Sequence, residues 1–107
     1  MKRYEVYWTR LEPIEGAEMG KVRPCVIVSD DRRNRYLGTV VVCPLTTMLR
    51  PHWRTRLQVN IDGKPADVCV DQIRTLSKSR LTSKLGTLAP SEALSLRELL
   101  SEMYGQP

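Results

Sequence analysis

At 107 residues and a net charge of +5, the chain has length for one modest core and no second domain. No apolar run approaches the roughly 20 residues needed to span a bilayer, and Met1-Lys2-Arg3-Tyr4-Glu5 leads into mixed polar sequence unlike a cleaved signal peptide. The expectation is a single domain over residues 1–107, soluble and cytoplasmic, with no membrane partner.

From the N-terminus, Tyr4-Glu5-Val6-Tyr7-Trp8 is short, aromatic and β-prone, which predicts a first strand. Residues 10–22 carry Pro13, Gly16 and Gly20 and predict a long loop, of a length that is often functional. The apolar run from Pro24 to Ser29 predicts a strand buried on both faces, although a buried helix has the same pattern. Asp30 to Gly38 predicts a polar, Arg-rich turn or loop, and Thr39 to Cys43 a third strand. Pro44 to Trp53 predicts a connection with one helical turn around Thr46 to Leu49.

Thr55 to Ile61 alternates, with Leu57, Val59 and Ile61 on one side and Arg56, Gln58 and Asn60 on the other, as a half-buried strand does. Asp62-Gly63 is a strong hairpin-turn signal, and Ala66 to Val70 returns as a fifth strand. Asp71-Gln72-Ile73-Arg74-Thr75 is β-compatible but polar, and is expected to leave the sheet. Leu81 to Leu88 predicts the last strand despite Gly86. Pro90 opens a helix with Ala93, Leu96, Leu100 and Met103 on one face and Gly105 at its C-cap. The fold class predicted is mainly β: five or six short antiparallel strands closing a small barrel, with one C-terminal helix over an open end.

The three cysteines, Cys25, Cys43 and Cys69, are odd in number, lie in apolar runs and form no C-x-x-C pair. They predict reduced core residues rather than a disulfide or a metal site. His52 is the only histidine, and no clustered carboxylates, P-loop, G-x-G-x-x-G or G-x-S-x-G motif occurs. No metal and no cofactor is expected.

The cations are twelve Arg against five Lys, and Arg grips phosphate with a fork where Lys offers a point charge. Eight of them fall between Met19 and Arg56, against two acids. A polyanion partner follows; a solvated surface or an acidic protein partner would give the same charge pattern. Two stretches stand out for chemistry. Lys21 and Arg23 precede Pro24 at a strand start, a rigid place from which to aim a guanidinium. Val40-Val41-Val42-Cys43 runs into Pro44-Leu45-Thr46-Thr47, a strand ending in hydroxyls. Arg23 and Thr46 are expected to meet on one face, where RNA brings its own nucleophile, the 2′-hydroxyl. The protein then need only align that oxygen and stabilise the added charge. His52, Trp53 and Arg54 lie in a connection that could flank RNA bases, with Trp53 as a stacking platform.

Gly20-Lys21-Val22-Arg23-Pro24, Cys43-Pro44-Leu45-Thr46-Thr47 and Asp71-Gln72-Ile73-Arg74-Thr75, then Arg80-Leu81 and Lys84-Leu85-Gly86, occur in the order seen in the MazF/PemK-type toxin endoribonucleases. Val6-Tyr7-Trp8 with Pro13 and Gly16 is also similar, so the resemblance covers nearly the whole chain. It implies a small SH3-like barrel with a C-terminal helix, acting as a homodimer. It implies metal-independent, sequence-selective cleavage of single-stranded RNA to 2′,3′-cyclic phosphate and 5′-hydroxyl ends. It implies the toxin half of a type II toxin–antitoxin pair, with a cognate antitoxin covering the RNA groove. The family's catalytic arginine falls on Arg23 and its catalytic threonine on Thr46. Gln72 and Arg74 match positions near the RNA, and Lys21 and Thr47 beside the catalytic pair are expected RNA contacts. One departure is Gly16-Ala17-Glu18-Met19, where the family often has Gly-Ser-Glu-Gln. A hydroxyl and an amide are absent there, which is expected to alter substrate contacts or rate.

Plainer roles remain for several of these residues. Thr46 serves equally as a turn hydroxyl, Gln72 as a partner for buried backbone, Arg74 as an ion-pair partner for Asp71 or Asp67, and Trp8 and Tyr7 as core or dimer packing. The alternative function is a non-enzymatic CcdB-like toxin of the same fold that binds and poisons DNA gyrase, against which the Met103-Tyr104-Gly105-Gln106-Pro107 ending counts. A catalytically weak RNA-binding module is a third reading.

Overall fold

Asp62 (φ 52°) and Gly63 (φ 77°) both adopt left-handed backbone, the requirement of a two-residue type I′ hairpin. In the computed structural model, which describes residues 1–11 and 21–105, this turn joins β4 (Arg56–Ile61) to β5 (Lys64–Cys69) with Ile61 opposite Lys64. The alternation of β4 is as expected: Val59 and Ile61 are buried, and Gln58 and Asn60 face solvent.

The remaining strands are β1 (Glu5–Arg10), β2 (Val22–Ile27), β3 (Thr39–Thr46), β6 (Arg74–Ser77) and β7 (Leu81–Thr87). All seven form one antiparallel sheet in the order β4-β5-β3-β2-β1-β7, with β6 also on β3. β3 explains the curl. Along one edge it pairs β2, from Ile27↔Val42 to Cys25↔Pro44. Along the other it pairs β6 as far as Val42↔Arg74, then β5 from Leu45↔Val68. Pro44, with no N–H to give, lies where that second edge changes partner, one of the few places a central strand tolerates proline.

β2 and β3 are buried on both faces, as their continuous apolar runs require, because a side-chain cluster covers each face. Val26, Val28, Cys43, Leu45, Val59, Val68 and Leu96 build the core inside the curl, and Cys25, Ile27, Val40, Val42, Leu76 and Leu81 build a second cluster on the opposite face. α2 (Pro90–Tyr104) seats the fully buried Leu96, flanked by Ala93, Leu99, Leu100 and Met103, over the open end. The Glu92 carboxylate accepts from Ala89 N (2.9 Å) and from Asn60 N of β4 (2.6 Å), tying the helix start to the sheet's edge.

Several expectations need correction. There are seven strands, not five or six. The fold class holds, mainly β with a C-terminal helix; the curled sheet is a half-barrel in which β4 and β7 are not hydrogen-bonded partners among the described residues, and the Ile61 side chain packs on Gly86 across their seam. A Cβ at Gly86 would lie 2.9 Å from Ile61 Cδ1, so the glycine that weakened the reading of β7 is what lets Ile61 pack there. Asp31–Tyr36 is a short helix, α1, not a loop. Asp30 caps it by accepting from Arg33 N (2.9 Å), and Asn34 anchors it through Ser29. β3 continues to Thr46, so the connection after it is shorter than expected. Residues 71–73 leave the sheet as expected, in a 3-10 turn, Val70–Gln72, but Arg74 and Thr75 rejoin it in β6, which buries Leu76 along the free edge of β3. Arg10 and Val22 belong to strands, and Leu11 N donates to Lys21 O (2.9 Å), so the N-terminal loop is also shorter than expected. The Ala17 and Met19 departures lie outside the described residues.

Candidate nucleic-acid interface

Arg23 stands in β2 opposite Thr9 of β1. Strand alternation puts it on the side of Cys25 and Ile27. The 3-10 turn and β6 bring Gln72 and Arg74 to that side. Lys21, Arg23, Gln72 and Arg74 line one cleft of about 390 Å³, with Pro44 and Ile73 in its wall. Cys25 registers their convergence. Burial pushes its thiol up to about 11, while a hydrogen bond with Thr9 and the charges of Arg74 and Arg23 pull the other way. The ion pairs among the described residues are Arg56–Asp67 and Lys84–Glu5. Lys21, Arg23 and Arg74 therefore have no carboxylate at ion-pair distance among those residues, and the expected Arg74 pairing with Asp71 or Asp67 is not formed.

Thr46 ends β3. Continuing the β2–β3 register two residues beyond Cys25↔Pro44 sets Thr46 across from Arg23, but there β3 has passed to β5 and Thr46 pairs Asp67. Thr46 Oγ1 accepts from Met48 N (3.2 Å), which leaves the hydroxyl proton to be donated elsewhere. Thr46 and Thr47 line a second cleft of about 190 Å³ with Trp8, Pro24 and Leu45. The two clefts share no lining residue, and Pro24 and Leu45 of the second alternate along their strands with Arg23 and Pro44 of the first. Lys21, Arg23, Gln72 and Arg74 are brought together in the first cleft, and Thr46 and Thr47 line the second instead. Trp8 lines this second cleft and is 39 % exposed, so it is more than core packing.

His52, Trp53 and Arg54 are exposed in the connection from β3 to β4. Trp53 is not a bare platform. The guanidinium of Arg56 lies 4.8 Å from its ring centroid and that of Arg50 5.6 Å, both in cation–π range. Behind them is a residue that the site reasoning missed. Asp67 is 1 % exposed; its Oδ2 accepts from Arg50 N (2.6 Å) and lies 3.7 Å from Arg56 Nη1. The signal was a carboxylate inside the apolar run Ala66-Asp67-Val68-Cys69-Val70, since such a residue is almost never fully buried without partners.

The basic stretch from Met19 to Arg56 does not make one patch. Arg32, Arg33 and Arg35 lie on α1, which follows the far end of β2, about 13 Å from Arg23 by strand rise. The three cysteines are free and buried. Burial raises the Cys43 thiol to about 12 and raises that of Cys69.

A family model described as PemK-like, MazF-like toxin of type II toxin–antitoxin system matches residues 2–104. A protein of Staphylococcus epidermidis named endoribonuclease MazF is 31% identical, over 98% of this chain and 92% of its own length. One of the same name from Staphylococcus saprophyticus is 33% identical, over 83% and 78%. Among solved structures, an endoribonuclease in complex with its cognate antitoxin from a mycobacterial species superposes with a TM-score of 0.83 at 30% identity, covering 100% of this chain and 97% of that one. A MazF from Deinococcus radiodurans, at 22% identity and a TM-score of 0.80, covering 99% and 97%, shares the fold.

Proposed function

The chain belongs to the PemK-like, MazF-like toxins of type II toxin–antitoxin systems, and from that premise we propose that it is an endoribonuclease that cuts single-stranded RNA at selected sites through the RNA's own 2′-hydroxyl. The observation that carries this reading is the gathering of Lys21, Arg23 and Arg74 in one cleft with no carboxylate at ion-pair distance among the described residues. A phosphodiester backbone supplies the charge that such a cleft lacks. The 2′-oxygen attacks phosphorus, the bond to the 5′-oxygen breaks, and the products are a 2′,3′-cyclic phosphate and a 5′-hydroxyl. Arg23 stabilises the charge that builds on the phosphorane oxygens. Thr46, its oxygen already accepting from Met48 N, gives its proton as a hydrogen bond to a phosphate oxygen. Lys21, Thr47, Gln72 and Arg74 hold the strand on either side. Trp53, with His52 and Arg54, borders the flanking bases.

In this reading the 107 residues work as one domain without a metal, in the cytoplasm, as a homodimer. A cognate antitoxin blocks the groove, in line with the mycobacterial relative solved with its own. The gyrase-binding alternative is not favoured, since the named relatives are endoribonucleases.

The test is incubation of purified protein with a single-stranded RNA, and with the same sequence as DNA, in EDTA. RNA fragments whose 5′ ends accept phosphate without prior phosphatase, beside intact DNA, are the expected result. Intact RNA, or cutting restored only by added Mg²⁺, would overturn the proposal.

A further inference from the structure

The connection between β3 and β4 is held from behind, at its middle, by one carboxylate. Most of its hydrogen bonds are internal: Met48 N to Thr46 Oγ1 (3.2 Å), Trp53 N to Arg50 O (3.0 Å) and Arg56 N to Trp53 O (3.3 Å). Among the described residues, two hydrogen bonds tie its interior to the rest of the molecule: Val70 N to Thr55 O (3.0 Å) near its end and Arg50 N to Asp67 Oδ2 (2.6 Å) in its middle. That Asp67 oxygen also lies 3.7 Å from Nη1 of Arg56, whose side chain is 10 % exposed. Arg56 in turn lies over Trp53, and the Arg50 guanidinium touches both that ring and Met48 Sδ (3.0 Å). Asp67 is also the ladder partner of Thr46. A single buried residue thus reaches the start, middle and end of the segment. Burying a carboxylate is costly unless partners satisfy it, and the partners here are Arg50 of this connection and Arg56, where the connection enters β4.

We propose that Asp67 is a positioning residue. It fixes the Thr46–Arg56 segment as one wall of the RNA groove, with the Trp53 edge at a set height, and so governs which nucleotides beside the cut are accepted. This rests on the RNA-cutting reading above. Asp67 touches no reacting atom; it acts through Arg50, Arg56 and Trp53. Its loss therefore alters substrate fit and cut-site choice while Arg23 keeps its place in β2.

Two variants test this. Asp67→Asn keeps an oxygen for Arg50 N and removes the charge facing Arg56. Arg56→Gln withdraws the guanidinium from Trp53. Three readouts apply: thermal melting, Trp53 emission in a Trp8→Phe background, and RNA kinetics with mapped fragment ends. Both variants are expected to stay folded and to shift Trp53 emission. KM should rise about tenfold with kcat within about threefold, the signature of lost binding rather than lost chemistry, and new cut sites should appear. Unchanged Trp53 emission in both would remove Asp67 as the anchor. Moved emission with parental KM and cut sites would remove the connection from the groove. A fall in kcat that tracks the fraction unfolded would make Asp67 structural only. If the parent protein leaves RNA intact, the RNA reading itself fails, and with it the groove wall, whatever the emission shows.

Discussion

The two walls of the proposed groove are built on different principles. The Arg23 wall is a strand paired to β1 on one side and running into the β2–β3 ladder on the other, with Cys25, Val26 and Ile27 fully buried immediately after it. The Trp53 wall is a connection outside any ladder, tied down by the hydrogen bonds from Arg50 N to Asp67 and from Val70 N to Thr55 O and by a longer contact from Arg56 to Asp67. A group that must face a phosphorus within a fraction of an ångström belongs on the first kind of support. A surface that discriminates among bases can sit on the second, where replacing a residue or two re-aims it without disturbing the chemistry.

The sharpest way to separate the walls is Arg23→Ala. Cutting should fall by about 10²–10³-fold, the loss typical of removing one donor to a developing anion, with melting near parental. Parental cutting rates in that variant would take Arg23 out of the mechanism. Next comes a change at the seam, remote from both walls in role. Gly86→Ala puts a Cβ 2.9 Å from Ile61 Cδ1, and the overpacking should cost about 1 kcal/mol, a drop of roughly 4–8 °C in Tm for a domain of this size. Cutting per folded molecule should not change; a tenfold fall would couple the seam to the groove.

The smallest effect concerns pH. The Glu5 carboxyl is raised by burial, but its bonds with Lys84, the Lys2 amide and Tyr7 outweigh this and hold it below 4.5. A depressed carboxyl adds stability above its ordinary value and loses it as pH falls through the folded value. The Lys84 ammonium, bonded to Glu5 against a smaller desolvation effect, is raised above 10.5, so its contribution fades only in strong alkali. Glu5→Gln should flatten the acid limb of a melting-temperature profile slightly and leave neutral pH almost unaffected. A steeper acid limb would reverse the assignment.

How much was legible follows the same division. Pattern and turn chemistry located β4, its Asp62-Gly63 turn, the buried runs of β2 and β3, and α2, because in each the local signal and the tertiary environment agree. β6 was misjudged because Leu76 is its one buried residue and no alternation announces it; the free edge of β3 makes it a strand. α1 was hidden by its polar composition, and Asp30 as N-cap was the cue that went unused. In the site, Arg23 and Thr46 are proposed from motif order. The Asp67 anchor was missed, since its hydrogen-bond partner lies 17 residues away and the pairing appears only once β5 folds against β3.

The cysteines carry a final consequence. With thiols lifted to about 11 and about 12 by burial, Cys25 and Cys43 hold a thiolate fraction at pH 7 on the order of one in ten thousand or less. Peroxide attacks the thiolate, so hydrogen peroxide finds almost nothing to oxidise at either position. A burst of oxidants that disables enzymes with reactive thiols would leave Cys25 and Cys43 as thiols.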